Sequence, residues 1–492
     1  MKDTLRSALR AVVNSTTLES PMTKTRSILR SAPWLLGFAV LAAGCASENT
    51  PLNTYSNQGP SAQDISTFSY YIWPVMGFVF VAVVGVTIWL AVKNRVKPED
   101  FDYDDLPEQV HGNPKLEWTW TAVPAVILAF IAVPTMAMIF DLEEKNEAPA
   151  AQGECRVNAD GTRSGELDVM VIGQQWWWEY RYDIDCDGFF EDVNDDGVID
   201  DIDREWPLEI ALDDDDLVIA NQLVMPVNEQ VDLTITSRDV IHSFWLPALN
   251  GKRDAVPGRI HTWAVEASEI GEFTGWCTEY CGLSHARMRM SSVALSAEEF
   301  DEWLLNQIEA ADIPEPRPAL AEGEVRPVAS DFEGAALEAF FEQEEQYLAS
   351  EGRAIFQAQC TSCHVVREDG NDADGVAFEY AQDFESAGLV ARAAPDLTHF
   401  ATRTVYAGAI YSQYVEIDAD DARLLDILDA TQTPYIELSD ELRLNEAQLK
   451  RWISNAPSQK AMDPENGLGM PAFPQLTEAD LEALVAYLAT LD

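Results

Sequence analysis

A chain of 492 residues has room for two or three domains besides membrane segments. It carries 32 Lys and Arg against 84 Asp and Glu, a formal charge of −52, which excludes nucleic acid as a partner and suits cationic proteins or a salt-rich medium. Of the seven cysteines, Cys277 with Cys281 and Cys360 with Cys363 form two close-spaced pairs, while Cys45, Cys155 and Cys186 stand apart, a spacing of ligand and attachment chemistry rather than of a disulfide framework.

At the N-terminus, Lys2, Arg6, Arg10, Lys24, Arg26 and Arg30 precede an apolar run from Trp34 to Ala43, too short to cross a bilayer. Residues 1–45 therefore read as a leader, with Met22 as an alternative start. Ala42-Ala43-Gly44-Cys45 resembles a bacterial lipoprotein processing site, which would leave a lipidated Cys45; an uncleaved anchor is the other reading. An external segment, 46–67, leads to two stretches without a charge, 68–92 and 120–140, each long enough for a helix across a hydrocarbon core of ~30 Å. Trp73, Trp89, Trp118 and Trp120 stand near their ends, where amphipathic rings settle at the interface. The connecting loop, 93–119, holds Lys93, Arg95, Lys97 and Lys115, whereas 46–67 holds no Lys or Arg. The loop is expected in the cytoplasm, and everything after Phe140 outside.

The external portion begins with a domain over 141–311. Its short β-branched and aromatic runs, LDVMVI, WWWEYRY, LVIANQLVMPV, VDLTITS, RIHTWAVEA and SSVALS, bounded by turn residues, predict an all-β sandwich or barrel closed by a helix over 297–311. On a strand, Trp176, Trp177 and Trp178 would alternate in direction. An acidic insertion spans 183–205. Asp183, Asp185 and Asp187 with Gly188 and Glu191, then Asp192, Asn194 and Asp196 with Gly197, Asp200 and Asp203, follow the pattern of calcium loops. Asn194 replaces the closing carboxylate of the first loop, and a solvated acidic loop is the alternative. Cys155 and Cys186 are expected to pair in an oxidising compartment. Four prolines (Pro314, Pro316, Pro318 and Pro327) stiffen a linker over 312–333. The remainder, 334–492, has helical patterns over 334–359, 445–454 and 478–491.

Within that last domain, Cys360-Thr361-Ser362-Cys363-His364 is a C-x-x-C-H haem-attachment sequence: two thiols add across porphyrin vinyl groups and His364 reaches the iron. A redox dithiol or half a zinc site is the competing reading. Gly467-Leu468-Gly469-Met470-Pro471-Ala472-Phe473 resembles the ligand loop of class I cytochromes c, as does Pro395-Asp396-Leu397-Thr398, which makes Met470 the sixth ligand and Met462 its competitor. A thioether ligand raises the iron's potential and suits an electron carrier. His399 reads as a loop residue.

In the β domain, Cys277, Cys281, His285 and Met288 fall within twelve residues, and His242 lies 35 positions before Cys277. Thiolates with imidazoles select copper or zinc; Met288 argues against zinc, and two sulfurs can bridge two metals.

From about Phe68 to Glu302 the chain resembles cytochrome c oxidase subunit II. The resemblance is carried by QVHGNPKLEWTWTAVP (109–124), GQQWWWEY (173–180), DVIHSFWLP (239–247), DAVPGR (254–259) and the cysteine loop; the C-terminal haem sequence marks the variant with a fused cytochrome c. The resemblance implies a two-helix transmembrane hairpin, then an all-β cupredoxin-like domain, then an all-α class I cytochrome c domain, in a bacterial plasma membrane with both large domains on the outer side. It implies a dinuclear copper centre, CuA, bridged by Cys277 and Cys281. His242 and Met288 are expected on one copper, His285 and the Glu279 carbonyl on the other, with the Glu279 side chain on a magnesium shared with subunit I. Trp176 is implied as the surface point where electrons arrive, and Glu117 as the mouth of a proton path through subunit I. Electrons would run from a cytochrome c or quinol–cytochrome c reductase-type donor to haem c, to CuA, and to subunit I, where oxygen is reduced; subunit III is a further partner. The rivals are the corresponding subunit of a copper-containing nitric oxide reductase and a non-catalytic metal-binding surface protein. Met290 and His261 are expected to be structural.

Overall fold

The computed structural model describes residues 52–95, 112–146, 167–183, 217–308, 311, 314–318, 327–367, 394–416, 442–466 and 468–491. The two uncharged stretches lie inside longer helices, α1 (Pro60–Lys93) and α2 (Pro114–Asn146). Pro60 opens α1, where a missing N–H costs nothing and the fixed φ already suits a helix. Large apolar side chains such as Phe78, Phe80, Phe130 and Phe140 stay exposed along both helices, an arrangement that hydrocarbon solvates and water does not. Pro74, Pro124 and Pro134 sit within them, as transmembrane helices tolerate.

The two helix ends meet the same domain. Gln58, just before α1, donates its N–H to Ala248 O (2.7 Å) and accepts from Ser268 N (2.6 Å), and Arg253 lies 3.7 Å from Glu143 near the end of α2. The start of α1 and the end of α2 therefore share one side, opposite the basic connecting loop, as the charge distribution requires.

The β domain holds two main sheets. One has five strands in the order β3 (Leu217–Ala220), β2 (Trp177–Tyr182), β1 (Leu167–Gln174), β5 (Gln230–Ser237), β8 (His261–Glu266). The other has three, in the order β4 (Gln222–Pro226), β10 (Arg289–Leu295), β9 (Gly271–Trp276), and a hairpin pairs β6 (His242–Trp245) with β7 (Lys252–Ala255). The pairs β1–β5 and β4–β10 are parallel and the rest antiparallel, so the sheets form a cupredoxin-like sandwich with inward faces apolar. The run 217–227, read as one strand, is two: Asn221 at φ +68° breaks it and sends its halves to different sheets. Strands β6, β7 and β9 escaped the sequence reading because HSFW, KRDA and GEFTGW lack β-branched runs. A helix, α3 (Ala297–Ile308), closes the domain within the expected stretch.

Aromatic rings fill the core. Phe244 is fully buried and meets Trp178, Tyr180 and Trp263 edge to face, with centroids 5.2, 6.3 and 5.8 Å away, the arrangement that ring quadrupoles favour.

The C-terminal domain is helical at its ends. Helix α4 (Ala335–Gln359) packs on α6 (Glu478–Ala489), with Phe356 5.4 Å from Tyr487, and α5 (Glu446–Gln459) runs past Ser454 through a kink at Asn455. The domain is not all-α: β11 (Val405–Tyr406) pairs with β12 (Tyr411–Ser412), and β13 (Tyr414–Glu416) with β14 (Leu442–Leu444). These short ribbons give backbone partners to loops that the helices do not reach. The proline segment 314–318 has no regular secondary structure, and Arg317 forks onto Glu344 of α4 at 2.8 and 2.9 Å while lying over the Tyr347 ring. Cys45, Cys155, Cys186 and the insertion positions Asp185 to Asp203 lie outside the described residues; Asp183 is buried just after β2.

Truncating Phe244 to Ala should cost about 3–5 kcal/mol, since it empties the centre of the aromatic cluster. The unfolding midpoint of the purified protein, followed by tryptophan fluorescence, measures it; a shift below about 1 kcal/mol would show that the cluster collapses into the gap.

Candidate metal centre

Strand β9 ends at Trp276 and β10 begins at Arg289, and these two residues pair across the ladder. Everything between them must therefore turn back on itself in twelve residues. Cys277 N–H donates to Met288 O (2.9 Å), and Gly282, at φ +113°, reverses the chain into a short helical turn over His285–Arg287. The closure places the Cys277 and Cys281 sulfurs 3.8 Å apart, both nearly fully buried.

Four further donors converge on this pair. His242 Nδ1 lies 3.8 Å from Cys277 Sγ, and the Glu279 carbonyl oxygen 3.3 Å from it. His285 Nδ1 is 3.6 Å and Met288 Sδ 3.7 Å from Cys281 Sγ. All six atoms named from the sequence thus come together, although five belong to a loop and His242 to β6. Thr278 N–H donates to Ser243 O (3.1 Å), which staples that strand to the loop. Gly173 on β1 leaves the space: a Cβ there would stand 2.8 Å from the His242 ring.

The electrostatics suit a cation. The two thiols share a hydrogen bond, which draws Cys277 down to about 4 against the opposing effect of burial and pushes Cys281 well up. The first proton leaves readily, and the second is held until a metal replaces it. On His242, burial disfavours charge, but the bond from its Nε2 to Asp239 Oδ1 (2.8 Å) and the Cys277 sulfur outweigh it and raise the pKa. Asp239 was missed in the sequence, although it stands three residues before His242; it orients the ring so that Nδ1 faces the sulfurs. Two sulfurs, two imidazoles and a thioether form a soft donor set that fits copper better than zinc.

Other residues fall outside the cluster. Met290 is buried in the core, and His261 bonds the Asp254 carbonyl at 2.6 Å on β8. Trp176 lies in the turn before β2 and donates Nε1–H to Cys281 O (2.9 Å). It is 3% exposed, so it is no surface residue here, and its carbonyl accepts from Lys460 of the C-terminal domain. Glu117 stands in the first turn of α2, exposed. In the C-terminal domain, Cys360 caps α4, Cys363 and His364 follow in the turn, and His364 Nδ1 bonds Pro395 O at 2.8 Å. Burial lowers the His364 pKa.

The family model for cytochrome C oxidase subunit II, periplasmic domain, matches residues 167–294, and that for its transmembrane domain matches 47–138. A "Cytochrome c oxidase subunit 2" of Alkalihalophilus pseudofirmus is 29% identical over 449 residues, covering 91% of this chain and 93% of the relative. That of Branchiostoma floridae is 30% identical over 193 residues, 38% of this chain and 70% of the relative.

The chain belongs to the cytochrome c oxidase subunit II family.

A solved periplasmic domain of cytochrome oxidase subunit II from Bradyrhizobium japonicum is 27% identical and covers 29% of this chain and 92% of that one, with a TM-score of 0.22. As a subunit II, the chain is a copper-binding, electron-transport component of a membrane oxidase complex, associated with subunit I, with its β domain on the outer side.

Asp239→Ala should weaken copper retention by about 10- to 100-fold, as loss of a ligand's outer hydrogen-bond partner does. Competition with a copper chelator reads it, and unchanged retention would remove Asp239 from the centre.

Proposed function

We propose that this subunit II takes electrons onto a covalent haem c in its C-terminal domain and passes them to CuA, and from there to subunit I, where oxygen is reduced. The observation that carries the proposal is the convergence of two cysteines, two histidines, a methionine and a carbonyl on one buried point, beside a second domain with a C-x-x-C-H turn. When bound, the copper pair and the haem each supply a one-electron redox site.

The residues divide as follows. Cys277 and Cys281 would hold the copper pair as thiolates, with His242, His285, Met288 and the Glu279 carbonyl as its further ligands. A loop closed by paired strands holds these donors together, with Cys277, Cys281, Met288 and His242 buried. Cys360 and Cys363 would attach the haem. Burial, with Cys363 adding, pushes the Cys360 thiol up to about 11, which speaks against a reactive dithiol. With Nδ1 committed to Pro395 O, His364 keeps Nε2 for the iron. Met470 would serve on the opposite face. Its competitor Met462 packs instead against the hydrophobic core of the copper domain. The relative that spans 91% of this chain supports reading both domains as one functional unit.

Finer roles follow from the same reading. The exposed Glu279 carboxylate is offered to a magnesium at the boundary with subunit I, and Glu117 to a proton path there. The C-terminal domain is assigned to the outer side, and the calcium loops, the lipidated Cys45, subunit III and a cytochrome c or quinol–cytochrome c reductase-type donor complete the proposed assembly.

The purified complex should carry two coppers per chain and a haem that stays on the chain in denaturing gels. Cys281→Ser should lose at least one copper while retaining haem, and the double variant Cys360→Ser, Cys363→Ser should lose covalent haem while retaining copper. Zinc in place of copper, or haem extracted by acidified solvent from the unmodified chain, would contradict the proposal.

A further inference from the structure

The side of the copper loop that faces Trp176 is gripped by the C-terminal domain at one cluster of backbone contacts. Ser284 Oγ–H donates to Ala461 O at 2.5 Å, the Arg287 guanidinium donates to Gln459 O, and Arg289 N–H donates to Gly408 O at 3.1 Å. At the centre lies Lys460, the residue after α5, 3% exposed. Its ammonium donates to Trp176 O (2.6 Å) and Ala407 O (3.0 Å). Gly408, at φ +77°, makes the approach feasible: a Cβ there would stand 2.4 Å from Lys460 Nζ and 2.8 Å from Trp176 O.

A buried ammonium is costly unless hydrogen-bonded. Burial pulls Lys460 down to about 7, Cys281 favours its charge, and Arg287 opposes it. Both of its hydrogen bonds go to main-chain oxygens, one on each domain. The next link is already made: the Trp176 indole donates to the carbonyl of Cys281. The segment just past Lys460 packs Met462 and Leu468 against the core of the copper domain, and leads within ten residues to Met470.

We propose that Lys460 is a positioning residue that locks the C-terminal domain onto Trp176, making Trp176 an internal relay between the two redox domains instead of a docking point for a soluble donor. This rests on the function proposed above. The electron would arrive on the C-terminal domain, cross at Lys460–Gly408–Trp176 and reach Cys281 through the indole contact. A donor then finds its site on the C-terminal domain, since Trp176 is already covered.

Lys460→Met in the intact complex tests this with two readouts. The first needs no cofactor activity: in the copper-stripped full-length chain, hydrogen exchange at 281–289 and 404–409 should rise in the variant, while exchange in α1, β1 and β5 stays unchanged. A rise everywhere would mean general destabilisation and would overturn a positioning role. The second is the haem-to-copper transfer rate after rapid reduction of the haem. In the unmodified protein it should be independent of solvent viscosity, as for domains already docked. In Lys460→Met it should fall by about tenfold, equivalent to about 1.4 kcal/mol, and become viscosity-dependent, with the optical spectra of both centres unaltered. An unchanged rate, or viscosity dependence already present without the substitution, would overturn the proposal. Absence of haem or copper from the unmodified chain would overturn the function beneath it, and this proposal with it.

Discussion

The molecule depends on one closure: a twelve-residue loop pinned at both ends by the Trp276–Arg289 strand pair, which folds two cysteine sulfurs to within 3.8 Å of one another. The hydrogen bond the two thiols share draws Cys277 down and pushes Cys281 up, at a buried, sulfur-rich point. A soft metal centre is the natural complement. The surrounding sheets serve that closure. β6 supplies His242, β1 thins to Gly173 to admit its ring, and Asp239 turns it.

The same loop is the junction of the chain. The outer ends of the two membrane helices are bonded to the β domain, and the C-terminal domain is bonded to the loop itself through Lys460, Gly408, Ala461 and Gln459. The acceptors at this seam are main-chain oxygens, while Ser284, Arg287 and Lys460 donate from their side chains. One carboxylate reaches across the seam, Glu272 accepting from Thr404 at 3.4 Å. The large negative field of the acidic chain is left to attract cationic partners from a distance.

Much of this was legible in the residues. The helix hairpin follows from two uncharged stretches and the placement of four basic residues, and the metal ligands follow from spacing, because sulfur and imidazole at those intervals have few other uses. What stayed hidden depends on long-range contacts. Asp239 is an ordinary acidic residue until the fold sets it against His242 Nε2. Lys460 carries no signal in the sequence, and only burial against Trp176 gives it a task. Trp176 reads as a surface aromatic because a sequence cannot say which domain will cover it. The split at Asn221 turned on a single left-handed backbone position, and β7 and β9 on pairing that polar and glycine-rich runs do not announce.

The central claim is that the two cysteines hold a metal pair acting as one redox unit. Reductive titration of the purified complex, with copper counted independently, tests it most directly. The account expects one electron taken up for every two coppers, alongside one for the haem. An electron for each copper, or a centre that takes up none, would contradict it.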